Sequence, residues 1–147
     1  MTDKTKKYII PLLFFILLLR LVNRDFYYDE MYSFVHYIYT PIKDVVFNYS
    51  SLNNHFLFSV IMNLYVKLTG VDFTYLLDHP YIIRLPIVLF SVVTVYYLYK
   101  LGGWLCVLIL LTTVPYLYYI PAVRGYSLSI MLITILYYSL EEKDDIE

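Results

Sequence analysis

The chain is short of charge. Of its 147 residues, 16% are Asp, Glu, Lys or Arg, where a soluble domain carries about a quarter. The hydrophobic share is 61% and the mean hydropathy is +0.64. That much apolar surface needs a solvent other than water, so an integral membrane protein is the class that fits. A net charge of -1 argues against nucleic acid as a partner. Cysteine is nearly absent: Cys106 stands alone, which rules out an intramolecular disulfide, and it sits in an apolar run as a small core-type residue. Gly-rich phosphate loops, GxSxG, CxxC and HExxH are all missing, so nucleotide hydrolysis and the usual hydrolase chemistries have no support. No internal repeat or low-complexity tract is evident.

What the chain has in excess is tyrosine, with 19 copies. Tyrosine suits the headgroup layer, where the ring is buried and the hydroxyl stays wet. Residues 1–7 are polar and basic, and Lys4, Lys6 and Lys7 place the N-terminus in the cytoplasm by the positive-inside rule. Residues 8–22 read as a retained transmembrane helix, since no small-x-small cleavage site follows. Pro11 falls in its first turn, and Arg20 and Arg24 can snorkel to the outer surface.

Residues 23–81 form the most polar stretch, an outer loop that carries helices. "DEMYSFVHYIY" places Met31, Phe34, Val35 and Ile38 on one face of an amphipathic helix. Thr40 and Pro41 read as the N-cap and first residue of the next helix. Residues 53–70 read as a helix that stops at Gly70. Asn63 and Lys67 interrupt its apolar centre, while crossing a bilayer takes about 20 apolar residues. An interfacial position is favoured over a crossing. Residues 82–99, 104–120 and 127–140 are three further spans. Gly102 and Gly103 make a tight turn between the first two, Pro115 kinks the second, and 121–126 is a second outer loop. Residues 141–147 are an acidic tail. The fold class is all-α and polytopic. Four spans put both termini in the cytoplasm and every unusual polar cluster on the outer side; five spans, with 53–70 crossing, would separate residues 121–126 from Asp29.

Asp29 and Glu30 are adjacent, so on a helix they point about 100° apart. One can face a cavity while the other caps or pairs; both acids also suit the positive end of a helix dipole. His55 is either a proton carrier or ligand, or simply a histidine at a helix start. Arg84, two residues before Pro86 at a span entrance, and Arg124, between two spans beside Gly125 and Tyr126, either meet lipid phosphate at the surface or hold the phosphate of a bound substrate. The outer acids and histidines leave room for a divalent metal ion, but no zinc-type spacing occurs.

The order of these pieces resembles the N-terminal part of the C-type (GT-C) membrane glycosyltransferases, which include protein O-mannosyltransferases and aminoarabinose transferases. The residues that carry the likeness are Asp29-Glu30-Met31-Tyr32, then His55-Phe56-Leu57-Phe58 with Gly70. Arg84-Leu85-Pro86 follows, then Pro115 with Ala122-Val123-Arg124-Gly125-Tyr126-Ser127-Leu128. Phe56 and Leu57 stand where the family carries prolines. The likeness covers Tyr8 to Leu140 and implies transfer of a sugar from a polyprenyl-phosphate donor to an acceptor on the outer side. It implies Asp29, with Glu30, as the catalytic acids: Asp29 as general base or as a holder of a metal. It also implies His55, Arg84, Arg124 and Tyr126 as substrate-binding residues. Two other readings stay open: a non-catalytic membrane subunit that binds polyprenyl lipid, a second membrane chain or its own copy, and a small transporter subunit. The transporter ranks last, because spans 82–99, 104–120 and 127–140 carry only Arg84, near one end.

Overall fold

The computed structural model describes residues 22–47 and 55–144, together with Ile9, Leu12, Phe15 and Ile16 of the N-terminal stretch. The expected first span and the Asn53–Asn54 helix start therefore lie largely outside the described residues. Among the described residues every element is helical and no strand occurs, so the chain is all-α.

Helix α1 (Tyr28–Ser33) places Asp29 and Glu30 in its first turn. A π-helical turn (Phe34–Ile38) follows, closed by the Tyr39 amide donating to the Phe34 carbonyl at 3.0 Å. This wider winding changes the expected apolar face: Phe34 and Ile38 are buried, but Val35 turns outward and is 53% exposed. Helix α2 (Ile42–Phe47) begins one residue later than expected. The Pro41 carbonyl accepts from the amides of Asp44 and Val45, so Pro41 precedes the helix rather than opening it.

Helix α3 (Phe56–Thr69) ends at Gly70, whose φ of 63° is the left-handed cap that glycine adopts without a Cβ penalty. Its 14 residues reach about 21 Å, short of a bilayer core of about 30 Å. Asn63, in its middle, is fully buried, and its amide donates to the carbonyls of Ile38 and Thr40 at 2.8 Å each. It binds backbone oxygens left free where the π turn ends. Tyr65 ties α3 to the next long helix through a 2.9 Å bond to the Ile82 carbonyl. Helix α4 (Phe73–Asp78) is capped by Asp72, which accepts from the Thr74 amide at 3.1 Å.

Helix α5 (Pro80–Thr112) is the one described helix long and apolar enough to cross a membrane by length and composition. It is broken at Gly102 (φ -136°, ψ 16°) and Gly103 (φ 63°, ψ -151°). The break reverses the chain. A straight helix would carry Thr112 about 40 Å from Arg84, yet Glu30 binds both the Arg84 guanidinium and the amide of Val123. Residues after Gly103 therefore run back toward the Arg84 end through helix α6 (Val114–Tyr119). At Pro115 the structure departs from the expected kink. The helix stops outright at Thr113, which is extended (ψ 100°), and Pro115 falls in the first turn of α6, where a missing N–H does no harm. Helix α7 (Tyr126–Asp144) then runs alongside α5, and Lys100 donates to the Tyr138 hydroxyl at 3.0 Å near the far end.

Two apolar clusters hold these pieces. Phe34, Ile38, Phe58, Met62, Leu76, Ile83 and Ile87 join the short helices to α5, with Val123 and Leu128 closing the cluster. Val22, Val88, Val95, Val107, Tyr116 and Ile120 join the outgoing and returning limbs of α5.

Candidate functional site

The site is assembled from three stretches distant in sequence: residues 24–30, Arg84 in the second turn of α5, and the loop 120–126. The chain reversal at Gly102–Gly103 and the break at Thr113 are what deliver the third to the other two.

Glu30 and Arg84 form its floor. Both are essentially inaccessible, at 1% and 0% exposure. Glu30 occupies the third position of α1, where one oxygen accepts from the Tyr27 amide at 2.8 Å. The other accepts from the Val123 amide at 2.6 Å, and Arg84 Nη2 spans the two at 3.2 and 3.3 Å. Arg84 further donates to the carbonyls of Val22 (2.7 Å), Arg24 and Asp25 (3.2 Å) and lies over the Phe26 ring at 4.7 Å. With both Nη groups engaged and the side chain sealed from solvent, Arg84 is not placed to hold a substrate phosphate. Glu30 likewise has no oxygen facing open space. Both are positioning residues: together they pin the end of the first expected span, the start of α1 and the loop 120–126 to α5.

Asp29 has the opposite surroundings. Its side chain is 59% exposed, and one oxygen accepts from Arg124 Nη1 at 2.7 Å, while Arg124 itself is 9% exposed. Asp29, Glu30, Arg124 and Tyr126 line one cavity of about 410 Å³, together with Arg24, Tyr27, Tyr28, Tyr118, Tyr119 and Ala122. An apolar pocket of about 430 Å³ adjoins it, lined by Tyr116, Tyr119, Ile120, Tyr126 and Ile130. Tyr119 and Tyr126 belong to both walls, so a polar chamber and an apolar one share a boundary.

His55 is not in this cavity. It sits across the loop, packed on Gly125, where an added Cβ would come within 2.5 Å of the His55 side chain, and its ring meets Tyr126 at 5.1 Å. Burial, and then the charge of Arg124, push its imidazole below its ordinary value. The residue that sequence reading missed is Arg24, taken there only as an interfacial anchor. It lines the cavity, donates to the Tyr27 hydroxyl at 3.0 Å and lies over the Tyr27 and Tyr118 rings at 4.4 and 5.5 Å. The tyrosines of the 118–119 pair were missed as well; the high tyrosine count gave no indication of which copies gather.

As a metal centre the cavity fits poorly. Of its two acids one is fully engaged and the other already binds a guanidinium, and no group of three or more His, Cys, Asp or Glu occurs among the described residues. What the arrangement offers is a carboxylate open to solvent, a guanidinium held beside it and an apolar chamber within reach of both. Comparison with protein-family models, with curated proteins and with solved structures finds no match to this chain.

Proposed function

We propose that this chain is a membrane glycosyltransferase, or the N-terminal module of one, that transfers a sugar from a polyprenyl-phosphate donor to an acceptor hydroxyl on the outer side of the membrane. The observation that carries the reading is the paired cavity: Asp29 and Arg124 in a polar chamber that shares Tyr119 and Tyr126 with an apolar one. A lipid-linked sugar has the same division. Its chain fits the apolar pocket, its phosphate belongs by the guanidinium, and its sugar lies against the tyrosine-lined wall by the carboxylate.

In the reaction, the acceptor oxygen attacks the anomeric carbon. Asp29 takes the acceptor proton, the new carbon–oxygen bond forms, and the bond to the phosphate oxygen breaks with its electron pair. Negative charge grows on the departing phosphate, and Arg124 stands next to Asp29 to stabilise it in a partly water-excluded site. Arg124 is suited to this because its guanidinium is planar, always charged and of the shape that binds phosphate oxygens.

The membrane placement belongs to the same proposal. α5 to Gly102, the returning limb with α6, and α7 are three spans, joined to the expected span 8–22, with α1–α4 on the outer face and both termini cytoplasmic. Asp29→Asn should lower transfer by roughly 10²-fold or more, with helical content and membrane insertion unchanged. Transfer by Asp29→Asn at the wild-type rate would remove the catalytic role. A second reading has a specific observation in its favour: Asp29 is already bound to Arg124 at 2.7 Å, which suits a non-catalytic subunit that only binds the lipid. A purified chain that binds polyprenyl-phosphate sugar and never turns it over would select that reading.

A further inference from the structure

Along 124–126 the residues alternate. Arg124 and Tyr126 line the polar cavity with Asp29, while Gly125, between them, lines a separate hollow of about 170 Å³ with His55. The loop therefore has a cavity side and a back, and His55 presses on the back. A Cβ on Gly125 would come within 2.5 Å of His55 Cβ and 2.6 Å of its Cγ. Gly125 is not among the residues with positive φ, so its φ does not ask for glycine; the close approach of His55 does. His55 is itself fixed. Its carbonyl accepts from the Ser59 amide at 2.9 Å, the first bond of α3, and α3 is tied to the rest of the fold through Asn63 and Tyr65. From there the imidazole meets the Tyr126 ring edge-on at 5.1 Å, and the Arg124 guanidinium lies 5.8 Å from the same ring. The other walls of the hollow are Phe56, Leu57 and Phe58 of α3 and Leu128, Ser129 and Leu132 of α7. Among the described residues, the titratable groups that His55 meets are thus Arg124 and Tyr126, and no carboxylate lines its hollow.

We infer that His55 is a positioning residue: from the back of the loop it holds Tyr126 and Arg124 at the cavity wall beside Asp29, and it does so as the neutral imidazole. The inference rests on the transferase reading only for what this placement serves. Neutral, the ring packs on Gly125 and Tyr126. Protonated, it becomes a second cation near Arg124 in a hollow that offers no carboxylate, and like charges at short range repel. The repulsion acts on the residue that Asp29 holds, so acid loosens the loop. Burial, and then Arg124, hold the imidazole below its ordinary value, which is the same repulsion seen from the other partner.

The test follows amide hydrogen exchange, corrected for its intrinsic pH dependence, in the full chain in nanodiscs of neutral phosphatidylcholine. Wild type is compared with His55→Ala, His55→Phe and Gly125→Ala. At about pH 7.5, peptides from 120–128 should lose protection by roughly tenfold in His55→Ala and in Gly125→Ala, with the centre of α3 around Asn63 unchanged. His55→Phe, which keeps a ring against Gly125 but takes up no proton, should stay near wild type. Between about pH 7.5 and 5 the wild-type loop should lose protection and the His55→Phe loop should keep it; this comparison carries the test should His55→Ala not fold. Wild-type protection of the loop in His55→Ala overturns the positioning role, and so does an equal loss in the loop and in α3, which marks a general loss of structure. Equal acid losses in wild type and His55→Phe overturn the part given to the neutral imidazole. Turnover of a polyprenyl-phosphate sugar is the second readout. His55→Ala should lower kcat by roughly tenfold, because Arg124 no longer faces the departing phosphate, and His55→Phe should restore it. An unchanged kcat in a chain whose loop has loosened overturns the link to transfer. A wild type that turns over no donor overturns the transferase reading alone, and exchange then decides the role of His55.

Discussion

Adjacent acids in this chain do unlike work because their side chains leave α1 in different directions. Glu30 enters the protein, where backbone amides and Arg84 take both its oxygens, while Asp29 faces the cavity. Removing one partner of a sealed ion pair strands the other, at a cost of about 3–5 kcal/mol. Glu30→Ala or Arg84→Met should therefore lower the unfolding temperature in detergent by many degrees, and the double variant should cost less than the two singles added. Strict additivity would show that the pair is not a unit. His55 gives a pH signature. Its imidazole is held below the ordinary value near 6.5, so the unfolded chain takes up a proton before the folded one. Above about pH 6.5 both forms are neutral and His55 adds no pH dependence. As the pH falls below that value, stability drops until the folded imidazole is protonated as well. Melting temperatures between about pH 7.5 and 5 should fall more for the wild type than for His55→Gln; equal falls would assign the sensitivity to another group.

At the scale of elements, the decisive features are interruptions. "GG" at 102–103 announces a turn, and the reason it must be glycine is visible in the backbone: Gly103, at φ 63° and ψ -151°, occupies a region closed to residues with a Cβ. Gly103→Ala should destabilise by about 1–3 kcal/mol, read as a lower unfolding temperature. An unchanged melt would mean that the limbs can be joined by another turn. The stop of α3 at Gly70 was also legible, because a glycine after an apolar run is a C-cap signal. The π turn at Phe34–Ile38 was not. Its sequence carries ordinary helical periodicity, and its freed carbonyls are held by Asn63, from an element 25 residues away. Read locally, Asn63 weakened a span; in the fold it is a tie.

At the scale of the molecule, the reversals bring residues 24–30, 84 and 120–126 to one end, while the acidic end of α7 lies at the other. Over its 19 residues, Tyr126–Asp144, α7 rises about 28 Å, close to the thickness of a bilayer core of about 30 Å. With Cys106 replaced by Ser, a cysteine at Tyr28, which is 83% exposed, should react with a membrane-impermeant reagent from outside. A cysteine at Glu142 should react only after the membrane is opened. Labelling of both from one side would overturn the proposed arrangement.

The sequence by itself determined the class. Apolar excess, helical periodicity and glycine stops are local properties, and they sufficed for an all-α chain with a long apolar helix, a turn at 102–103 and polar residues concentrated in 23–81 and 121–126. It also named Asp29 and Arg124, because a carboxylate and a guanidinium are costly beside apolar runs unless something holds them. Only the tertiary structure decided which charges meet. Glu30 and Arg84 are 54 residues apart and Asp29 and Arg124 are 95 apart, distances over which neither periodicity nor propensity carries information. The same packing separated the sealed pair from the open one, moved His55 behind Gly125 and set Arg24 over the Tyr27 and Tyr118 rings. Pairing is a property of shared space, and that space exists only once the chain has folded back on itself.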